Sequence, residues 1–217
     1  TDGFINVYSL IDTSGNFIKL NISLQPSIDV PSRSLNGSTE AGGIPITCMR
    51  WRPQTGLSKT KQVLVSGCGD GTVTHWHIPS GKMLHRVTEQ DNQILCLDYN
   101  RDGSNFATAG KDRIVRIYDE GTKSLLSDLQ GGMWQAGHSN RIFALKFHPE
   151  DPNVIVSAGW DHVVYFWDIR DKKSFASIYG PAVSGDALDI QGNEILTGSW
   201  RNKDQLELWD FGSRKRI

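Results

Sequence analysis

Five stretches of the chain share one alternation. One and three places before an aromatic residue stand packing side chains: Val7 and Ile5 before Tyr8, His75 and Val73 before Trp76, Ile117 and Val115 before Tyr118, Phe166 and Val164 before Trp167, and Leu208 and Leu206 before Trp209. The residue between them is polar in four copies (Asn6, Thr74, Arg116, Glu207) and Tyr165 in the other. A period of two over a run rich in β-branched and aromatic residues predicts a strand with one face buried. Upstream of each copy the same pattern predicts inner strands at 46–51, 94–99, 142–147 and 187–190. A second set falls at 63–66, 106–108, 155–157 and 195–197, and a weaker fourth strand follows the aromatic at 82–87, 124–129 and 174–179. The aromatics at 76, 118, 167 and 209 set a period of 42 to 49 residues. Four short strands in a period of that size make one blade of a β-propeller.

The predicted class is therefore all-β, a propeller of four-stranded antiparallel blades, about five in number with the first and last incomplete. The divisions fall at 1–24 (the end of one blade), 46–90, 91–131, 132–180 and 181–217 (an incomplete blade), all in one propeller domain. Between the first two lies 25–45, QPSIDVPSRSLNGSTEAGGIP, a Pro-, Ser- and Gly-rich insertion predicted to be flexible.

The glycines of SGCGDGTVTHW, residues 66–76, are turn chemistry in this frame. A phosphate-cradling loop opens a helix, whose N-terminal amides hold the anion; here Thr72 to Ile78 reads as another strand. An aspartate stands six residues before the aromatic in four copies: Asp2, Asp70, Asp112 and Asp161. In the last copy two extra residues intervene and Arg201 takes that place.

Composition narrows the rest. Of the 217 residues 38% are apolar and 22% charged, ordinary values for a globular protein. A net charge of −1 offers no bulk attraction to nucleic acid or membrane, and no apolar run reaches bilayer length. Cys48 and Cys96 take the place of Ala144 relative to the inner-strand aromatic, so small apolar packing residues suffice and an intracellular, cytoplasmic or nuclear setting follows. Cys68, His75 and His77 lack the second ligand pair of a zinc centre, and no metal or cofactor is assigned. Ser157, His138 and Asp161 name a triad but fall at blade-packing positions, so no catalytic residue is assigned.

These residues resemble the WD-repeat β-propeller family over nearly the whole chain apart from the insertion. The best blade shows Gly137-His138, Ser157, Asp161 and Trp167-Asp168. The resemblance implies that His138, Ser157, Asp161 and Trp167 form a hydrogen-bonded structural relay, with Ser66, Asp70, Trp76, Thr108 and Asp112 as counterparts in weaker blades. It also implies a longer ring, seven-bladed in most members, whose remaining blades complete closure. Members of the family use the residue before the turn aspartate, and the heads of the inner strands, for partner contacts. On this chain those positions are Lys111, Trp160, Trp200, Arg141, Phe143, Gln93, Leu95, Ser184 and Asp186. The implied function is a non-catalytic scaffold that presents blade loops to protein or peptide partners in a larger complex, with no direct nucleic-acid or membrane contact. Two other readings are a reader of histone tails or other modified peptides at the channel mouth, and an enzymatic or small-ligand propeller.

Overall fold

A computed structural model describes residues 4–9, 19–24, 44–54 and 60–217. All but the last two residues of the 25–45 insertion lie outside it, as does Asp2. The described residues form five antiparallel sheets, each a meander of consecutive strands. The first pairs β1 (Ile5–Ser9) with β2 (Lys19–Leu24). Three four-stranded sheets follow: β3 (Ile46–Trp51), β4 (Val63–Cys68), β5 (Thr72–His77) and β6 (Lys82–Thr88); then β7 (Ile94–Tyr99), β8 (Asn105–Gly110), β9 (Val115–Asp119) and β10 (Leu125–Leu129); then β11 (Ile142–Phe147), β12 (Val154–Gly159), β13 (Val163–Asp168) and β14 (Lys173–Tyr179). The last sheet holds β15 (Leu188–Gln191), β16 (Glu194–Gly198) and β17 (Leu206–Asp210). The inner strands β3, β7, β11 and β15 touch in succession, so the sheets stand as blades around a channel. Among the described residues a single 3₁₀ turn, Ile78–Ser80, is the only helical segment, and no helix is long and apolar enough to cross a membrane.

The core lies between blades rather than inside any one of them. Val115, Ile117 and Leu129 of one blade meet Ile142, Leu145, Ile155 and Trp167 of the next. Val156, Val164 and Phe166 meet Val183, Leu188 and Ile195 in turn. This corrects the expectation of a half-buried third strand. In β13, Val163, Tyr165 and Trp167 pack toward the preceding blade and Val164 and Phe166 toward the following one. Thr74, Tyr165 and Glu207, the residues between the packing positions, are all buried. A blade with neighbours on both sides has no solvent face at its middle strands. In the last sheet, at the end of the series, the expected packing residue Leu206 is instead 70% exposed, and in the two-stranded first sheet Asn6 is exposed.

The turn after each second strand is built the same way in three blades. Gly69 N donates to Pro45 O, Lys111 N to Gln93 O and Trp160 N to Arg141 O, at 2.9, 3.1 and 3.1 Å. The chain heading the inner strand thus runs directly over the end of the second strand. A Cβ on Gly110 would lie 1.8 Å from Gln93 O, and one on Gly159 2.1 Å from Arg141 O. After the turn aspartate the chain enters the left-handed region, with φ of 85° at Gly71, 72° at Arg113 and 61° at His162.

Candidate functional site

Beneath these turns run polar networks that differ from blade to blade. In the fourth sheet Trp167 Nε1 donates to Ser157 Oγ at 2.8 Å, Ser157 Oγ lies 2.8 Å from His138 Nε2, and His138 Nδ1 lies 2.7 Å from Asp161 Oδ2. An indole nitrogen can only donate and an ionised carboxylate can only accept, so Ser157 Oγ accepts from Trp167 and His138 Nδ1 donates to Asp161. Burial alone would raise the Asp161 carboxyl, but His138 and the amides of Ser139 and Val163 hold it below its ordinary value.

The third sheet reaches the same end with other chemistry. Glu89 occupies the histidine's place, and its carboxylate accepts from Tyr118 OH at 2.9 Å, Thr108 Oγ1, Asn92 Nδ2 at 2.7 Å and Arg116 Nη1 at 2.9 Å. Asp112 pairs with Arg116 at 2.6 Å. In the last sheet this pair is inverted. Arg201, at the aspartate's place, holds buried Glu207, and Trp209 Nε1 donates to Thr197 Oγ1 at 3.0 Å. In the second sheet Trp76 Nε1 donates to Ser66 Oγ at 3.0 Å, but Asp70 binds Thr72 N and Oγ1 of its own turn. Without a histidine to reach back to, its carboxylate caps the hairpin instead.

Of the residues weighed for zinc, His75 bonds Glu120 and Tyr99, His77 bonds Ser80, and Cys68 is buried with a free thiol. Cys48 faces Gly67, where an added Cβ would sit 2.7 Å from its sulfur, and burial pushes its thiol up to about 12.

On the turn face the structure brings part of the predicted surface together. The Phe143 and Trp160 rings pack with centroids 4.7 Å apart at 35°. The seat is fixed by the Trp160 N to Arg141 O bond and leaves the indole 45% exposed. Trp200 is 84% exposed and is in ring contact with neither, although its amide is tied to Ala182 O at 2.8 Å. Lys111 is exposed, while Gln93, Leu95 and Ser184 are half-buried. Asp186 is not a free flank of the patch, because Arg50 Nη2 binds both its oxygens at 2.7 Å.

Two features escaped the sequence reading. One is the lining of the channel. Arg50, Asp98, Lys146 and Asp189 stand at matched places on the four inner strands and alternate in sign. Arg50 lies 3.6 Å from Asp98, Lys146 lies 3.6 Å from Asp189, and Phe147 N donates to Asp98 at 2.9 Å. Lining up the four inner strands on their closing residues would have exposed this pattern. The other is a hairpin tip at Met133-Trp134.

Comparison with known proteins settles the family. A model described as "WD domain, G-beta repeat" matches residues 30–77, 81–119 and 133–168. The chain belongs to the WD-repeat family. WD-repeat proteins are in general protein-interaction scaffolds rather than enzymes. Among curated WD-repeat relatives, the ribosome biogenesis protein YTM1 of Laccaria bicolor is 23% identical over 69% of this chain and 33% of its own length. The nuclear distribution protein PAC1 of Komagataella phaffii is 25% identical over 87% of this chain and 41% of its own. The chain thus spans well under half of either relative. In fold it is similar to a chain of the mitotic checkpoint complex, with a TM-score of 0.71 at 15% identity over 100% of this chain and 58% of that one. It is also similar to the RRP9 WD40 repeats, at 0.64 and 17% over 85% and 52%.

Proposed function

We propose that this WD-repeat chain is a non-catalytic scaffold in an intracellular multi-protein assembly, and that partners dock on the turn face around Trp160. The observation that carries the reading is the Phe143–Trp160 pair, a fixed and half-open aromatic seat where the fold needs only a turn. Aromatic anchors of this kind dominate binding energy at interfaces. The charges around it support an acidic and apolar partner surface. Asp112, Asp161 and Asp186 are engaged by Arg116, His138 and Arg50. Lys111 and Arg141 hold no ion pair among the described residues and are left to meet carboxylates.

The reading as a histone-tail or modified-peptide reader has weaker support, since Phe143 and Trp160 lie against each other where a cation cage would need an open centre. Relatives named for ribosome biogenesis and nuclear distribution fit membership in a protein complex.

The test is affinity purification from native cells of the full-length protein and of its Trp160→Ala/Trp200→Ala variant, with circular dichroism to establish that both fold. A defined set of partners lost from the variant is the expected result. An unchanged partner set would overturn the assignment.

A further inference from the structure

The most exposed large apolar side chains among the described residues are neither Trp160 nor Trp200. They are Met133, 87% exposed, and Trp134, 94% exposed, in the connection from β10 to β11. That connection, QGGMWQAG at 130–137, is ordered at its base. Gly132 N donates to Gln135 O at 2.9 Å and Gln135 N returns a bond to Gly132 O at 3.3 Å, closing a hairpin with only Met133 and Trp134 at its tip. The stems approach to backbone contact, and a Cβ on Gly137 would lie 2.2 Å from Gly131 N. Two further bonds lash the hairpin to the edge of the next blade, Gln135 Nε2 to Lys172 O at 2.8 Å and Ser174 Oγ to Ala136 O at 2.9 Å.

A tip whose backbone is held this way loses little backbone freedom on binding, and that saving goes directly into affinity. Trp and Met are both enriched in interface cores, which are ringed by a polar rim. The polar residues that flank the tip are Gln130 and Gln135 on its own stems and Lys172 and Lys173 in the segment to which Gln135 is bonded. In the loop the hairpin leans on, Arg170 is occupied by Asp168 at 2.6 Å. Lys172 and Lys173 are exposed and hold no ion pair among the described residues. A lipid surface is the poorer match. Stable membrane adsorption draws on clusters of four or more basic residues, and two lysines beside Asp171 do not form one.

We infer that Met133-Trp134 is a second docking element, a rigid apolar plug for a socket on a partner protein whose rim carries carboxylates facing Lys172 and Lys173. It is independent of the surface around Trp160.

The experiment places p-benzoylphenylalanine at Met133 in the full-length protein in its native cells and maps the photo-adduct, with the same probe at exposed Gln90 as control. The expected adduct lies on another protein, in an apolar segment flanked by Asp or Glu. Its yield falls at least tenfold with Lys172→Glu/Lys173→Glu and with Trp134→Ser, and is retained with Trp160→Ala/Trp200→Ala. That retention separates the plug from the turn-face site. An adduct to lipid, to a second copy of this chain or to a polar surface would overturn the inference. So would a yield no higher than at Gln90, or one that charge reversal leaves unchanged. Trp134 makes no ring contact in the described chain, so its serine variant is expected to fold with an unchanged melting temperature.

Discussion

Asp161 and Asp70 stand at the same place in two repeats and do different work. Asp161 is the acceptor for a buried imidazole N–H and for Ser139 N, whereas Asp70 serves an exposed turn. Removing a partner that leaves buried donors unsatisfied costs about 1–3 kcal/mol for each group. Asp161→Ala is therefore expected to lower unfolding stability by about 2–3 kcal/mol, and Asp70→Ala by less than about 1 kcal/mol, an exposed-turn effect. Urea unfolding of the two variants checks this, and equal losses would show that Asp70 also serves the core. The difference could be anticipated in part, because Gly137-His138 precedes only one of these blades. What the repeat pattern hid is that a carboxylate can take over the place of a lost histidine. Glu89 stands as far before Thr108 as His138 does before Ser157, but its four donors come from three different strands and turns, and only the folded register gathers them.

Turns and strands show the same division. The positions of the inner strands β3, β7 and β11 follow directly from the alternation of apolar residues. The burial of Thr74, Tyr165 and Glu207 does not, since a period of two is blind to what covers the opposite face. Glycines divide likewise into those a neighbour forbids to change and those it ignores. Gly159→Ala would force a Cβ to 2.1 Å from Arg141 O, while nothing lies within 4 Å of a Cβ on Gly132. The expected outcome is a loss of several degrees in melting temperature for Gly159→Ala, with Trp160 displaced from Phe143, and a change within about 0.5 kcal/mol for Gly132→Ala. Thermal melts with tryptophan fluorescence distinguish the two. If Gly159→Ala melts like the parent, the tight crossing of the inner strand over the turn is not a constraint.

Between whole blades the cohesion is partly ionic, and this gives it a pH dependence. Glu120 sits between the second and third sheets, where it accepts from Tyr99 OH at 2.8 Å and Arg52 Nη1 at 3.0 Å, meets His75 Nε2 at 3.1 Å and is bound by Lys123. Burial would raise its carboxyl, but these partners hold it down to about 2. Burial also lowers His75, against the pull of Glu120. A carboxyl depressed on folding stabilises the fold above its unfolded value of 4.5, and that contribution is lost as pH falls toward 2. A histidine depressed on folding takes up protons more readily once unfolded, so acid below 6.5 weakens the fold in the same direction. The melting temperature is expected to decline from pH 6.5 downward and to steepen below 4.5. Glu120→Gln should be less stable near neutrality and flatter between pH 4.5 and 2. A variant that keeps the parent's slope would place the acid sensitivity elsewhere.

Because the core of this chain lies between its sheets, each sheet is a key cut on both sides. The second offers His75 and Arg52 to Glu120 of the third, the third offers Asp98 to Phe147 N of the fourth, and the fourth offers Lys146 to Asp189 of the last. The repeats look interchangeable in outline, yet they are not modules that can be dealt in any order. Transposing two of them would leave Glu120 buried against a stranger, so the order in which the blades follow one another is itself an unshufflable part of the fold.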